Sequence, residues 1–158
     1  MSERIHELLH RNLQEVFGEG DPARRRAAIQ ELYTDDCVLD VPPGIFVGHD
    51  ALDKFAGDLR ATQPHFVYVP HGAPQALHNA GRLAWGSGPR GGKPDYTGMD
   101  VIIVRDDKIA ALYVQGFQDP VLLDAVDDME DLTAGFSRKI WQKLTILETL
   151  GRSMAGSR

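Results

Sequence analysis

The apolar pattern of this chain changes period once, at Pro64. Before it, apolar residues recur every three or four positions, the spacing of amphipathic helices. After it they alternate, the spacing of strands with one buried face. A chain divided this way segregates helices from a sheet, which predicts an α+β architecture.

The helical part reads in three pieces. Ile5, Leu8, Leu9, Leu13, Val16 and Phe17 form one stripe, which Gly18 and Gly20 end. Asp21-Pro22 then supplies an N-cap and a proline at the first helical position. The second helix runs to about Leu32 and buries Ala28, Ile29, Leu32 and Tyr33. A short strand follows, with Cys37, Leu39 and Val41 on one face; Pro42-Pro43-Gly44 breaks it and Ile45-Phe46-Val47 returns. The third helix starts after Gly48, where His49 and Asp50 read as capping residues. Leu52, Phe55, Ala56 and Leu59 are its buried stripe, and Asp53, Lys54, Asp58 and Arg60 face water.

Beyond Pro64 the predicted strands cover residues 65–69, 75–79, 82–87, 96–105 and 108–117. Asn79-Ala80-Gly81 and Asp106-Asp107 supply hairpin turns, and residues 88–94 form a longer Gly/Pro loop, a candidate lid. Strands joined by short turns pair antiparallel by default. Asp119-Pro120 repeats the cap-plus-proline signal, and Phe136, Ile140, Leu144, Leu147 and Leu150 recur at helical spacing behind it. The expected organisation is one domain over residues 1–119 and a helical extension over 120–158, packed on the domain, a partner or a second subunit.

Charge and cysteine usage narrow the function classes. A length of 158 residues fits a single core. The net charge of −6 argues against a nucleic-acid partner, which needs excess Lys and Arg. Arg24-Arg25-Arg26 reads as the solvated face of the second helix. The single Cys37, among Val38, Leu39 and Val41, reads as a buried inert thiol. No apolar run reaches the ~18 residues of a membrane span, and Met1-Ser2-Glu3-Arg4 opens without a signal-peptide core. A cytoplasmic protein without a membrane partner is the expectation. His6 and His10 are four apart but lack a third ligand, and the other histidines show no metal spacing, so neither a metal nor another cofactor is expected. In the 86–94 segment Lys93 is followed by Pro94, not by Ser or Thr at a helix start, so this is no phosphate loop. A Gly-x-Ser-x-Gly elbow is missing as well.

Asp100 is the informative residue of the sheet. Alternation puts it on one face with Gly98, Ile102 and Val104, between apolar neighbours Val101 and Ile103. A carboxyl group there loses hydration, which favours its neutral form. It would then serve as a hydrogen-bond donor or as an acid or base near neutrality. The alternative is a structural aspartate paired with Arg82, Arg90 or Lys93 at a sheet edge.

The ordered landmarks Gly20-Asp21, Leu32-Tyr33-Thr34-Asp35-Asp36, Pro43-Gly44 and Gly48-His49-Asp50-Ala51-Leu52, with the closing hairpin 100–109, resemble the nuclear transport factor 2-like superfamily. The resemblance is to its SnoaL-like and ketosteroid-isomerase-like members and covers about residues 5–118. It implies a cone-like curved antiparallel sheet packed against three N-terminal helices around an apolar pocket. It also implies that Asp100 faces that pocket, as the matching aspartate of isomerase-like members does when it donates to a developing oxyanion.

The sequence departs from both family mechanisms. The position matching the isomerase general base is Val41, with Asp40 turned to the other face. The position matching the oxyanion tyrosine is Leu13, and the cyclase acid/base aspartate matches Val114. Asp100 is therefore the single catalytic candidate. Trp85, Tyr33, Phe55, Leu59, Val41, Leu13, Ile102, Leu112 and Val114 are candidate ligand contacts, with core packing the alternative for Trp85. Tyr113, Gln115 and Phe117 fall on the convex face, where related proteins often dimerise, so a homodimer is expected there. The competing functions are a metal-independent acid/base enzyme on a small apolar carbonyl or epoxide compound, a non-catalytic binder of such a molecule, and a dimeric interaction module.

Overall fold

The first helical stripe folds as α1 (Ser2–Arg11) and runs straight into a π-helical segment, Asn12–Phe17. Its wider turn is visible where Gly18 N–H donates to the Leu13 carbonyl, five residues back, at 2.9 Å. The segment buries Asn12, Leu13, Val16 and Phe17 together. Such π turns are rare and concentrate at functional sites. This computed structural model describes residues 1–117, and the expected helical extension over 120–158 lies outside the described residues.

The second helix, α2 (Pro22–Leu32), begins as the sequence dictates: the Asp21 side chain accepts from Arg24 N–H at 2.8 Å. The arginine triplet is not one solvated face. Arg24 pairs with Glu19 and Arg26 with Asp50 at the surface, but Arg25 is only 6% exposed and bonds Asp53 Oδ1 at 2.8 Å. Arg25 lies three and four residues before Ala28 and Ile29, on the buried stripe. Asp53 therefore turns inward to it, and Gly57 leaves the room, since a Cβ there would stand 2.8 Å from the guanidinium.

Tyr33 caps α2, its N–H donating to the Ile29 carbonyl, and opens β1 (Tyr33–Val41), which turns back through β2 (Gly44–Val47). In α3 (His49–Thr62) the cap residue is Gly48, at φ 86°, not Asp50. His49 lies within 3.2 Å of the Tyr33 carbonyl, and Asp50 pairs with Arg26, so neither caps. The two strands expected over 65–79 are one, β3 (Phe66–Leu77), irregular between His71 and Gln75 where Gly72 has φ 72°. β4 (Ala80–Pro89), β5 (Tyr96–Arg105) and β6 (Lys108–Phe117) complete a six-stranded sheet in the order β2-β1-β6-β5-β4-β3.

The sheet is mixed, not wholly antiparallel. β1 pairs with β6 in parallel, and every other pair is antiparallel. The hairpin argument applies only to strands consecutive in the chain, and β1 and β6, neighbours in the sheet, are far apart in sequence. Register breaks in β1, β3 and β5–β6 bend it. Helix α1 lies directly on the concave face at Gly81, where a Cβ would come within 2.2 Å of Ile5 and 3.1 Å of Leu9. That contact closes the sheet against the helices at one end. The candidate lid does not roof the concave face. Pro94 packs over Gly86, whose missing side chain points away from that of Trp85, so the 90–95 loop folds against the convex side.

Candidate functional site

The concave face holds a buried carboxyl with no charged partner. Asp100 sits in the central strand β5, 3% exposed. Its two oxygens are held separately: Asn12 Nδ2 donates to Oδ2 at 2.9 Å, and Trp85 Nε1 donates to Oδ1 at 2.8 Å. Arg82, offered as a structural partner by the sequence, bonds Gln75 instead.

Each donor is positioned by a local feature. The indole of Trp85 lies over Gly98, its cross-strand partner, where a Cβ would stand 2.3 Å from the ring. That gap lets Nε1 reach diagonally to Asp100. Asn12 is delivered by the start of the π-helical segment, with 0% exposure. The fully buried Tyr33 hydroxyl donates to Asn12 Oδ1 at 2.5 Å. With the carboxyl ionised the amide lies one way, its nitrogen facing the carboxylate. The chain Tyr33–Asn12–Asp100–Trp85 is thus directional at every link.

Burial drives the Asp100 carboxyl up to about 7, against the pull of the Trp85 and Asn12 donors toward lower values. Near neutrality it is therefore divided between its charged and neutral forms, the condition for exchanging a proton at low cost. Burial also pushes the Tyr33 phenol well up, with the Asp100 charge adding to it.

Asp100 opens onto a cavity of about 230 Å³. Leu13 and Phe17 of the π-helical segment, and Phe55 and Leu59 of α3, form its helical wall. Val41, Trp85 and Val114 form the sheet wall, and Pro42, Pro43, Tyr68 and Gly116 complete it. Tyr68 meets Trp85 edge-on, with ring centroids 5.3 Å apart. Asp100 is the one carboxyl on this wall. Among the described residues no group of three or more His, Cys, Asp or Glu side chains is placed to hold a metal ion.

Seven candidates from the sequence therefore share this cavity: Leu13, Val41, Phe55, Leu59, Trp85, Asp100 and Val114. Tyr33, Ile102 and Leu112 do not line it. Ile102 and Leu112 face each other across β5–β6, both at 0% exposure, near the Gly81 level where α1 fills the space. Tyr33 is one step removed, behind Asn12. Asp40 faces the convex side, opposite Ile45 and Tyr113. Asn12 is the residue that sequence reasoning missed. Its signal was available: it lies three and four positions after Leu9 and Leu8, a polar residue on an apolar stripe, which demands a buried partner. Phe17 and Tyr68 were also missed as wall residues.

Comparison with known proteins fits this geometry. A structure from Agrobacterium tumefaciens, provisionally described as an isomerase of the SnoaL-like family, superposes with a TM-score of 0.67 at 20% identity, covering 74% of this chain and 98% of the other. One from Jannaschia, provisionally described as a SnoaL-like polyketide cyclase, gives 0.59 at 12% identity, covering 73% and 86%. A de novo designed curved-sheet protein gives 0.57 at 21% identity, covering 82% and 97%. These likenesses establish the fold alone. No curated protein matches in sequence. No described helix is long and apolar enough to cross a membrane. Residues 10–112, which contain the cavity wall from Leu13 to Leu59 and Asp100 with both of its donors, match the SnoaL-like domain, and the chain belongs to that family.

Proposed function

We infer that this chain is a metal-independent acid/base enzyme of the isomerase, cyclase or hydrolase kind, acting through Asp100 on a small apolar carbonyl or epoxide compound. One observation carries the reading: a carboxyl without a counter-charge, raised to about 7, faces an otherwise apolar cavity. In its neutral form Asp100 donates to a carbonyl oxygen, or protonates an epoxide oxygen as the ring opens. The Asn12 and Trp85 donors hold the charge this leaves on the carboxylate, which returns to neutral by taking a proton from the substrate carbon next to the reacting one. The apolar wall strengthens these interactions by excluding water. Ketosteroid isomerisation with a separate aspartate base is disfavoured by Val41 and Leu13, and the family's cyclase mechanism by Val114, since none of these side chains has a proton to exchange.

The test needs no substrate at first. Carbon-13 NMR of the Asp100 carboxyl, assigned by its loss in Asp100→Asn, should titrate near 7. A midpoint in the ordinary aspartate range would sink the reading. Across a panel of apolar ketones and epoxides, Asp100→Asn should abolish turnover and leave affinity within a few-fold.

A second reading, a non-catalytic binder, draws on the same wall: Asp100 has no second carboxyl beside it to relay a proton. It expects an Asp100→Asn change in affinity and no turnover in either form.

We further propose a cytoplasmic homodimer, the dimer formed through the convex face. Tyr113 is 44% exposed on β6 and lies beside Val101 on β5, and Ile45 and Val47 stand exposed on the edge strand β2, with Asp40 of β1 between Ile45 and Tyr113. An apolar sheet face of this kind needs a cover, and the mass in solution tests for one.

A further inference from the structure

A second polar position lies outside the apolar cavity, on the same sheet face. Ser87 follows Trp85 by two residues on β4, so its side chain points to the concave side. It is 2% exposed, and its Oγ has no hydrogen-bond partner among the described residues. Its cross-strand neighbours, Tyr68 and Tyr96, stand on either side. The Ser87 hydroxyl tempers the upward push of burial on the Tyr68 phenol, yet the two stop short of hydrogen-bonding geometry.

Ser87 lines a wider outer chamber of about 530 Å³, which shares Pro43, Leu59, Tyr68, Trp85 and Gly116 with the inner cavity. Gln63 adds a carboxamide to its wall. Charged side chains do not contribute to that wall. A buried hydroxyl with one donor and two acceptor sites left unused costs roughly 1–3 kcal/mol, which a ligand oxygen placed there would recover.

The geometry points to a two-ended substrate: an apolar body whose reacting oxygen sits at Asp100 and whose second, uncharged oxygen function, a hydroxyl or carbonyl, is read by Ser87 in the outer chamber. Asp100 lies opposite Leu83 on β4, and Ser87 is four residues further along that strand. Their backbone positions are therefore offset by about 13 Å along the strand. The uncharged wall disfavours a carboxylate, phosphate or ammonium at the outer end, because none would find a counter-charge there. This inference rests on the reading of Asp100 above and adds the chemistry of the distal end.

Its test uses methyl nonyl ketone and its ω-hydroxylated and ω-carboxylated derivatives as probes, with binding followed by calorimetry. The ω-hydroxy ketone should bind the native protein about five- to tenfold more tightly than the parent ketone, the gain of one hydrogen bond to a buried partner. The ω-carboxy ketone should bind more weakly than both. Ser87→Ala should erase the hydroxyl preference without weakening the parent ketone, and Ser87→Thr should restore it. Ser87→Ala should fold at least as stably as the native chain, because it removes an unsatisfied group. Equal affinity for hydroxylated and parent ketones, or a preference that survives Ser87→Ala, overturns the inference and leaves the Asp100 reading standing. An Asp100 carboxyl that titrates in the ordinary range overturns that reading instead. Failure of all three probes to bind overturns both.

Discussion

Among the described residues two side chains with formal charge are buried, and they are buried in opposite ways. Arg25 is 6% exposed and meets a full counter-charge, Asp53, at 2.8 Å, with the Glu19 carbonyl accepting a further bond at 3.3 Å. Asp100 is 3% exposed and meets only neutral donors, an amide and an indole. The first arrangement fixes a charge in place between α2 and α3. The second leaves the charge state open, because neutral donors offset only part of the lost hydration. Burial alone does not mark a reactive group; burial without a counter-ion does.

The sharpest way to break this comparison is pH. The Asp100 value rises on folding from 3.8 to about 7. Between those limits the folded protein keeps a proton that the unfolded chain has released, so the folded state binds more protons. Stability therefore falls as pH rises through this window and levels above about 7. Integrated, the loss is roughly 4 kcal/mol as an upper figure. Asp100→Asn cannot ionise and should lack this slope, so the stability of the variant relative to the native protein should climb from pH 4 to pH 7. Urea melts of both proteins across this range provide the measurement. Parallel curves would mean that the carboxyl is not held at a raised value.

Asp53→Ala attacks the other side. Removing one member of a buried ion pair strands the other, at a cost of about 3 kcal/mol. The Asp100 titration should not move, since the two sites share no hydrogen bond. A stability loss below about 1 kcal/mol would show Arg25 finding water, and the contrast between the two buried charges would weaken.

The same contrast explains what the sequence made legible. Alternation along β5 put Asp100 on the face of Ile102 and Val104, and both bounds of β5 and β6 follow from apolar spacing and the Asp106-Asp107 turn. The three-helix stripes gave Leu13, Phe55 and Leu59. Charge partners were not legible, because they depend on which surfaces meet. Arg25 finds Asp53 only once α2 crosses α3, and Arg26 finds Asp50 by the same crossing. Asn12 escaped for a related reason. A regular helix places it beside Leu8 and Leu9, but the apolar periodicity gives no notice that the helix widens into a π turn there, nor that the turn meets β5. The parallel pairing of β1 with β6 was likewise hidden, since sequence order speaks only for neighbouring hairpins.

The smallest expected effect probes the deepest link of the site. Tyr33→Phe keeps the ring in its fully buried position and removes only the hydroxyl that Asn12 Oδ1 accepts. One buried amide oxygen then loses its donor, at a cost of about 1–2 kcal/mol. The second consequence is specific to the chain of bonds. An amide without its anchor turns more freely, so Nδ2 spends less time on Asp100 Oδ2. Losing a donor to the ionised carboxylate favours the protonated form, and the Asp100 titration should move upward from about 7. A mere packing defect would lower stability and leave that titration where it was. Measuring both quantities on the one variant separates a tyrosine that positions the amide from one that only fills the core.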